Sequence, residues 1–155
     1  MGDYYELQLS LDLPASLPVE DLALLRWHLG EGDDDRFGGS GDRDSAGGEG
    51  QGAYAYPLLA QRGAARRVGG ALVGELCGRE RGWALTVRQE VHPDQFDDLR
   101  RLVGRLGART STAGVVGHVR FYEEWLPDLL IVEAGVVSRM TPSAGPRADG
   151  VFELL

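Results

Sequence analysis

Lysine and asparagine are absent from the 155 residues, and Ile131 is the only isoleucine. All three residue types have A/T-rich codons, so the bias points to a high-GC genome. The 16 basic residues are therefore all arginine for a reason unrelated to ligands, and arginine enrichment carries little weight as a sign of phosphate or nucleic-acid binding. Without lysine there is no phosphate-binding P-loop, and Gly-x-Ser-x-Gly, His-Glu-x-x-His and Cys-x-x-Cys are missing too. His28, His92 and His118 are scattered without ligand spacing, so no metal and no cofactor is expected. The single cysteine, Cys77, excludes an internal disulfide, and its apolar surroundings at 71–77 predict a packed structural thiol. No run of 18 apolar residues exists to cross a membrane. The first residues show no basic region followed by an apolar core, so a reducing cytoplasm is the expected location.

Charge of one sign is in excess. Twenty-four acidic residues against 16 arginines leave a formal net charge of −8, and the stretch 31–52 alone carries −5 of it. The remaining body is close to neutral, which excludes the basic footprint that nucleic-acid binding requires. Asp33-Asp34-Asp35 and Asp42-x-Asp44 lack the glycine and terminal glutamate of a calcium loop and read as solvated charge.

What is present suits one ordinary globular domain, with 43% apolar and 26% charged residues. A body over 1–139 is expected, followed by a Pro/Gly-rich tail over 140–155. Residues 31–52 include eight glycines and one large apolar side chain, Phe37, so they predict a flexible loop. Before it, Leu7, Leu9, Leu11 and Leu13 alternate with Glu6, Gln8, Ser10 and Asp12, the period of a half-buried strand. Pro18 to Gly30 predicts a helix with Val19, Leu22, Leu25 and Leu29 inward; Leu24 and Trp27 lie off that stripe and are expected to widen it, the alternative being an exposed contact patch. After the loop, 54–60 predicts a short edge strand, and 71–77 with 83–91 a hairpin. Asp94 is the expected N-cap of a second helix with Phe96, Leu99, Leu102, Val103 and Leu106 inward, ending at Gly107. Strands are expected at 115–122 and 129–134.

The element order repeats. Leu7, Leu9 and Leu13 align with Leu85, Val87 and Val91, and the two helices align after one residue is dropped. A tandem strand–helix–strand–strand duplication predicts an α+β two-layer sandwich, one antiparallel sheet with both helices on one face. In layout this is similar to the GyrI-like effector-binding domains, with no ligand motif shared. The stretch Gly117-His-Val-Arg-Phe-Tyr-Glu-Glu-Trp-Leu-Pro-Asp-Leu-Leu-Ile-Val132, with Tyr4-Tyr-Glu-Leu, Leu25-Arg-Trp-His-Leu-Gly30 and Leu85-Thr-Val-Arg88, resembles a family of short, uncharacterised actinobacterial proteins. That resemblance covers about half the chain and implies a fold, not a chemistry.

Strand alternation places one set of reactive side chains together. His118, Arg120 and Tyr122 share a polar sheet face with Arg88 and Glu90, and with Glu6, Gln8, Ser10 and Asp12. A solvated face or a subunit contact is the first reading. The second is a cleft for a small anionic or polar ligand lined by Arg88, Glu90, His118, Arg120 and Tyr122, with the arginines gripping the anion. The third is a small hydrolase or isomerase with His118 and Glu90 as acid and base. Arg101, Arg105 and Arg109 form a stripe on the second helix, expected to pair with Asp97 and Asp98. Absence of a catalytic motif favours a non-enzymatic binding or protein-interaction module, as a homo-oligomer or with a protein partner. Neutralisation of a partner enzyme is a further reading, permitted by the small size and acidic charge but carried by no particular residue.

Overall fold

The computed structural model describes residues 2–32, 37–38 and 53–142. Most of the expected 31–52 loop, and the tail from 143 on, lie outside the described residues.

The fold is α+β, with seven antiparallel strands under two helices. β1 is Tyr5–Leu13, α1 Val19–His28, β2 Gly63–Ala64, β3 Ala71–Arg79 and β4 Gly82–Val91. A 3-10 turn at Pro93–Gln95 leads into α2, Phe96–Arg109, then β5 Gly114–Phe121, β6 Asp128–Glu133 and β7 Val136–Met140. The strand order is β2-β3-β4-β1-β5-β6-β7. The strand with the clearest alternation, β1, is central, pairing Leu9 with Val87 on one side and with Gly117 on the other. One cluster joins Leu7, Leu9, Leu11 and Leu13 to Leu85, Val87 and Val91 of β4, Leu24 and Leu25 of α1, and Leu99, Leu102 and Leu106 of α2. Both helices therefore cover the same sheet face, and burial of these side chains, roughly 1.5–3 kcal/mol each, is the main stabilising term.

The two halves differ in strand order. The strand after α1 lies at the sheet edge, whereas the strand after α2 lies beside β1, so the expected duplication is not shown.

Several local expectations need correction. Residues 54–60 form no strand. They run as an irregular segment that buries Tyr54, Leu58 and Leu59, with one bridge from Tyr54 to Gly38. That segment lies against α1, which turns the helix. Val19 is 82% exposed, while Leu24, Trp27 and His28 are buried. His92, not Asp94, caps the second helical segment: its Nδ1 accepts the Asp94 amide at 3.1 Å, and Gln95 Oε1 accepts the His92 amide at 2.8 Å. α2 passes through Gly107 to Arg109, because Gly107 is buried against Val137 where no Cβ would fit. Cys77 is exposed, since Leu76 takes the inward position and alternation turns Cys77 outward. β7 was not expected. It begins at the two-residue turn Ala134-Gly135, both with positive φ (51° and 77°), the geometry of a type I′ hairpin without its usual Asn-Gly or Asp-Gly.

A buried carboxylate cluster and an open sheet edge

Glu6 organises the polar sheet face. It stands opposite Glu90 on β4 and Arg120 on β5, while its neighbour Gln8 stands opposite Arg88 and His118. Two carboxylates directly opposite repel. The fold relieves this by turning them to different partners. Glu6 accepts from Arg88 Nε at 3.0 Å, forms a second, short bond with Arg88 Nη2, and lies 2.6 Å from His118 Nε2 and 3.6 Å from Arg120 Nε. Burial alone would raise its pKa, but the bonds from His118 and Arg88 outweigh that and hold it below the usual carboxylate range. Glu90 turns instead to three backbone amides, accepting from Arg66 and Arg67 at 2.7 Å and from Val68 at 3.3 Å.

Those amides belong to the β2–β3 loop, which the consecutive positive-φ glycines Gly69 and Gly70 fold back over the sheet. Arg88 clamps the same loop, donating to the carbonyls of Gly69 (2.5 Å), Ala71 (3.1 Å) and Val68 (3.3 Å). All five guanidinium hydrogens of Arg88 are thereby engaged. Arg120 donates to the carbonyls of Tyr122, Glu124 and Val68.

The structure thus brings Arg88, His118 and Arg120 together around Glu6, and draws Glu90 to the loop that closes over them. Tyr122 is set apart. Its ring meets Phe121 edge-on, and the hydrogen bond its phenol donates to Glu123 raises its pKa. No bond joins Glu90 to His118; the carboxylate beside that imidazole is Glu6. Alternation alone placed Glu6 on this face, but its central role depends on both neighbouring registers.

The helix arginines divide. Arg101 pairs with Asp98 at 2.8 Å and Arg100 with Asp97 at 3.6 Å, as expected. Arg105 and Arg109 reach across to buried Asp21 on α1 at 2.7 and 3.0 Å, tying the helices together.

A second polar junction pins the 54–62 segment. His28, with no exposed surface, accepts the Leu58 amide on Nδ1 at 3.2 Å. Its proton therefore resides on Nε2, which has no hydrogen-bond partner, while the Tyr54 ring stands perpendicular at 4.4 Å. Burial depresses its pKa to about 4. Gln89, also fully buried, accepts from the Gln61 amide and donates to the carbonyls of Gln61, Val73 and Arg88. Arg62 adds bonds to the carbonyls of Leu29 and Gly74.

The opposite end of the sheet is less protected. Between α2 and β7 lies an apolar groove of about 460 Å³ over Leu7, Val119 and Leu130, rimmed by Arg100 and Arg139. Beside it a hollow of about 730 Å³ runs past Phe121, Trp125 and Pro142. Val136, Met140 and Trp125 are 64%, 53% and 79% exposed. Among the described residues, β7 pairs with β6 alone and its other edge has no partner strand.

Among the described residues, no cluster of three or more His, Cys, Asp or Glu side chains is placed to hold a metal, and no helix is long and apolar enough to cross a membrane. No family model matches the chain. No curated protein and no solved structure matches it either.

Proposed function

We propose that this chain is a non-enzymatic protein-interaction module of the cytoplasm, and that it associates with a polypeptide that adds a strand along β7. The observation that carries this reading is a contrast between the two ends of the sheet. At the polar cluster Arg88 has spent all its donors, Glu90 is bound by three backbone amides, and a loop lies over both. At the other end a five-residue strand exposes its edge and two large apolar side chains. Natural edges are commonly guarded by charge, proline or a bulge, because an open edge recruits another strand. The one charged side chain on β7, Arg139, is held by Asp128 at 2.6 Å and does not guard it. The opposite edge is covered over its first part, where β2 pairs with Ala71 and Leu72 and Arg62 binds the Gly74 carbonyl, and the exposed Glu75 puts a charge on the remainder of β3.

A photo-crosslinking amino acid placed at Ser138 in the full chain, in intact cells, tests this. Protein adducts should form from Ser138 and not from Glu80 in the β3–β4 turn on the far half of the sheet. Equal adducts from both positions, or none from Ser138, would refute it.

A further inference from the structure

Resting on that reading, we infer that the strand added along β7 is β7 of a second copy of this chain, related by a two-fold axis through Ser138. The hairpin geometry fixes which backbone groups are free. The type I′ turn makes Glu133 and Val136 a hydrogen-bonded pair, and the pattern then alternates. Val136, Ser138 and Met140 bond inward to β6, so Val137 and Arg139 present their amides and carbonyls outward.

An antiparallel partner centred on Ser138 sets Val137 against Arg139 of the partner subunit and Arg139 against the partner's Val137. Each is then a hydrogen-bonded pair using the free groups, with Ser138 facing the partner's Ser138 between them. The side chains match as well. Val136 meets the partner's Met140 on the open face, where Leu129 and Ile131 of β6 continue the apolar surface. On the helix face Val137 meets the partner's Arg139, whose charge Asp128 already neutralises. No like charges oppose across the axis. The α2–β7 groove lies directly beside the new strand pair and would receive side chains from the partner's helix face.

A heterologous strand would need to match this alternation by its own sequence; β7 matches itself, as an isologous two-fold contact requires. A five-residue edge is short, so the dimer belongs to the small, concentration-dependent class of interfaces below about 1,200 Å².

Charge reversal at the axis provides the test. Ser138 is exposed, so Ser138→Glu and Ser138→Arg should leave the melting temperature of the monomer unchanged. Sedimentation equilibrium of the full chain should show a reversible dimer of twice the 16.8 kDa chain mass. Either variant alone places two like charges face to face and should raise the dissociation constant at least about tenfold, or ~1.4 kcal/mol. An equimolar mixture of the two variants should recover the dimer. A wild-type chain that remains monomeric, variants that dimerise unchanged, or a mixture that stays monomeric would each overturn the inference. In the Ser138 crosslinking experiment, a product at twice the chain mass supports self-pairing. Adducts with other proteins alone would overturn self-pairing and leave the interaction-module reading intact. Absence of any adduct removes both.

Discussion

Stability should fall with pH through a window set by His28. Its pKa drops from 6.5 in an exposed chain to about 4 in the folded protein. The unfolded chain therefore binds a proton more readily than the folded one at every pH between those values. Stability is complete above 6.5, declines as pH falls toward 4, and loses nothing further to this group below that. A difference of about 2.5 pKa units at ~1.36 kcal/mol each amounts to about 3 kcal/mol. The loss is local in origin: a protonated imidazole cannot accept the Leu58 amide, and its charge would sit fully buried. Urea titrations followed by tryptophan fluorescence would measure it, with Trp27 only 4.9 Å from the imidazole as a nearby reporter. Replacing His28 by Phe should cost about 1–3 kcal/mol at neutral pH, because the Leu58 amide loses its acceptor. It should also flatten the decline between 6.5 and 4. Glu6 and Asp98, whose pKa values are lowered from 4.5 and 3.8, act only at the acid end and are shared by both proteins. Parallel pH profiles for the wild type and the His28→Phe variant would refute the reasoning, whatever the difference at neutral pH.

Three other outcomes follow from the same geometry. Asp21→Ala leaves Arg105 and Arg109 without their shared partner and should cost about 2 kcal/mol, reduced from the usual buried-pair value because Arg109 is half exposed; chemical denaturation measures it. Glu6→Gln should destabilise by about 2 kcal/mol near neutrality, and the gap from wild type should close as pH falls below 4.5, where the unfolded chain's carboxyl takes up a proton that the folded one still refuses. A gap that persists in acid would assign the effect to packing. Gly117→Ala should cost about 3 kcal/mol or more, because its Cβ would collide with the Gln8 carbonyl on β1 and lie 3.1 Å from the Leu9 Cα; a shift in melting temperature of less than a few degrees would refute that.

Legibility of the fold followed the strength of the local pattern. β1 and α2 were readable because one buried face repeats at a single period, 2 in Leu7 to Leu13 and about 3.6 in Leu99 to Leu106. α1 departs from the expected stripe because it is covered on two sides. The sheet takes Leu25, and the 54–59 segment takes Trp27 and His28, so no single stripe describes it. The 54–60 segment looked like a strand because Tyr54, Leu58 and Leu59 are apolar. Its amides are met instead by groups distant in sequence, Ala55 by the Asp98 carboxylate, Leu58 by the His28 ring and Leu59 by the His28 carbonyl, which no local pattern can show. β7 carries little local signal because Val136-Val137-Ser138-Arg139-Met140 is short and its turn lacks the usual residues.

The polar face illustrates a sharper distinction. Alternation correctly puts Arg88, Glu90, His118 and Arg120 on one side of the sheet, but the same pattern suits a reactive cleft and a structural junction equally. Stoichiometry of donors and acceptors separates them. Arg88 offers five hydrogens and uses five; Glu90 takes three amides; Glu6 binds Arg88 and His118. For Arg88 to bind an anion, the anion would have to displace Glu6 or the carbonyls of the 68–71 stretch at a largely buried site. By contrast, adding a strand to β7 breaks no bond among the described residues and satisfies backbone groups that none of those residues pairs. Among the described residues, β7 is therefore a place where backbone hydrogen bonds are left to make.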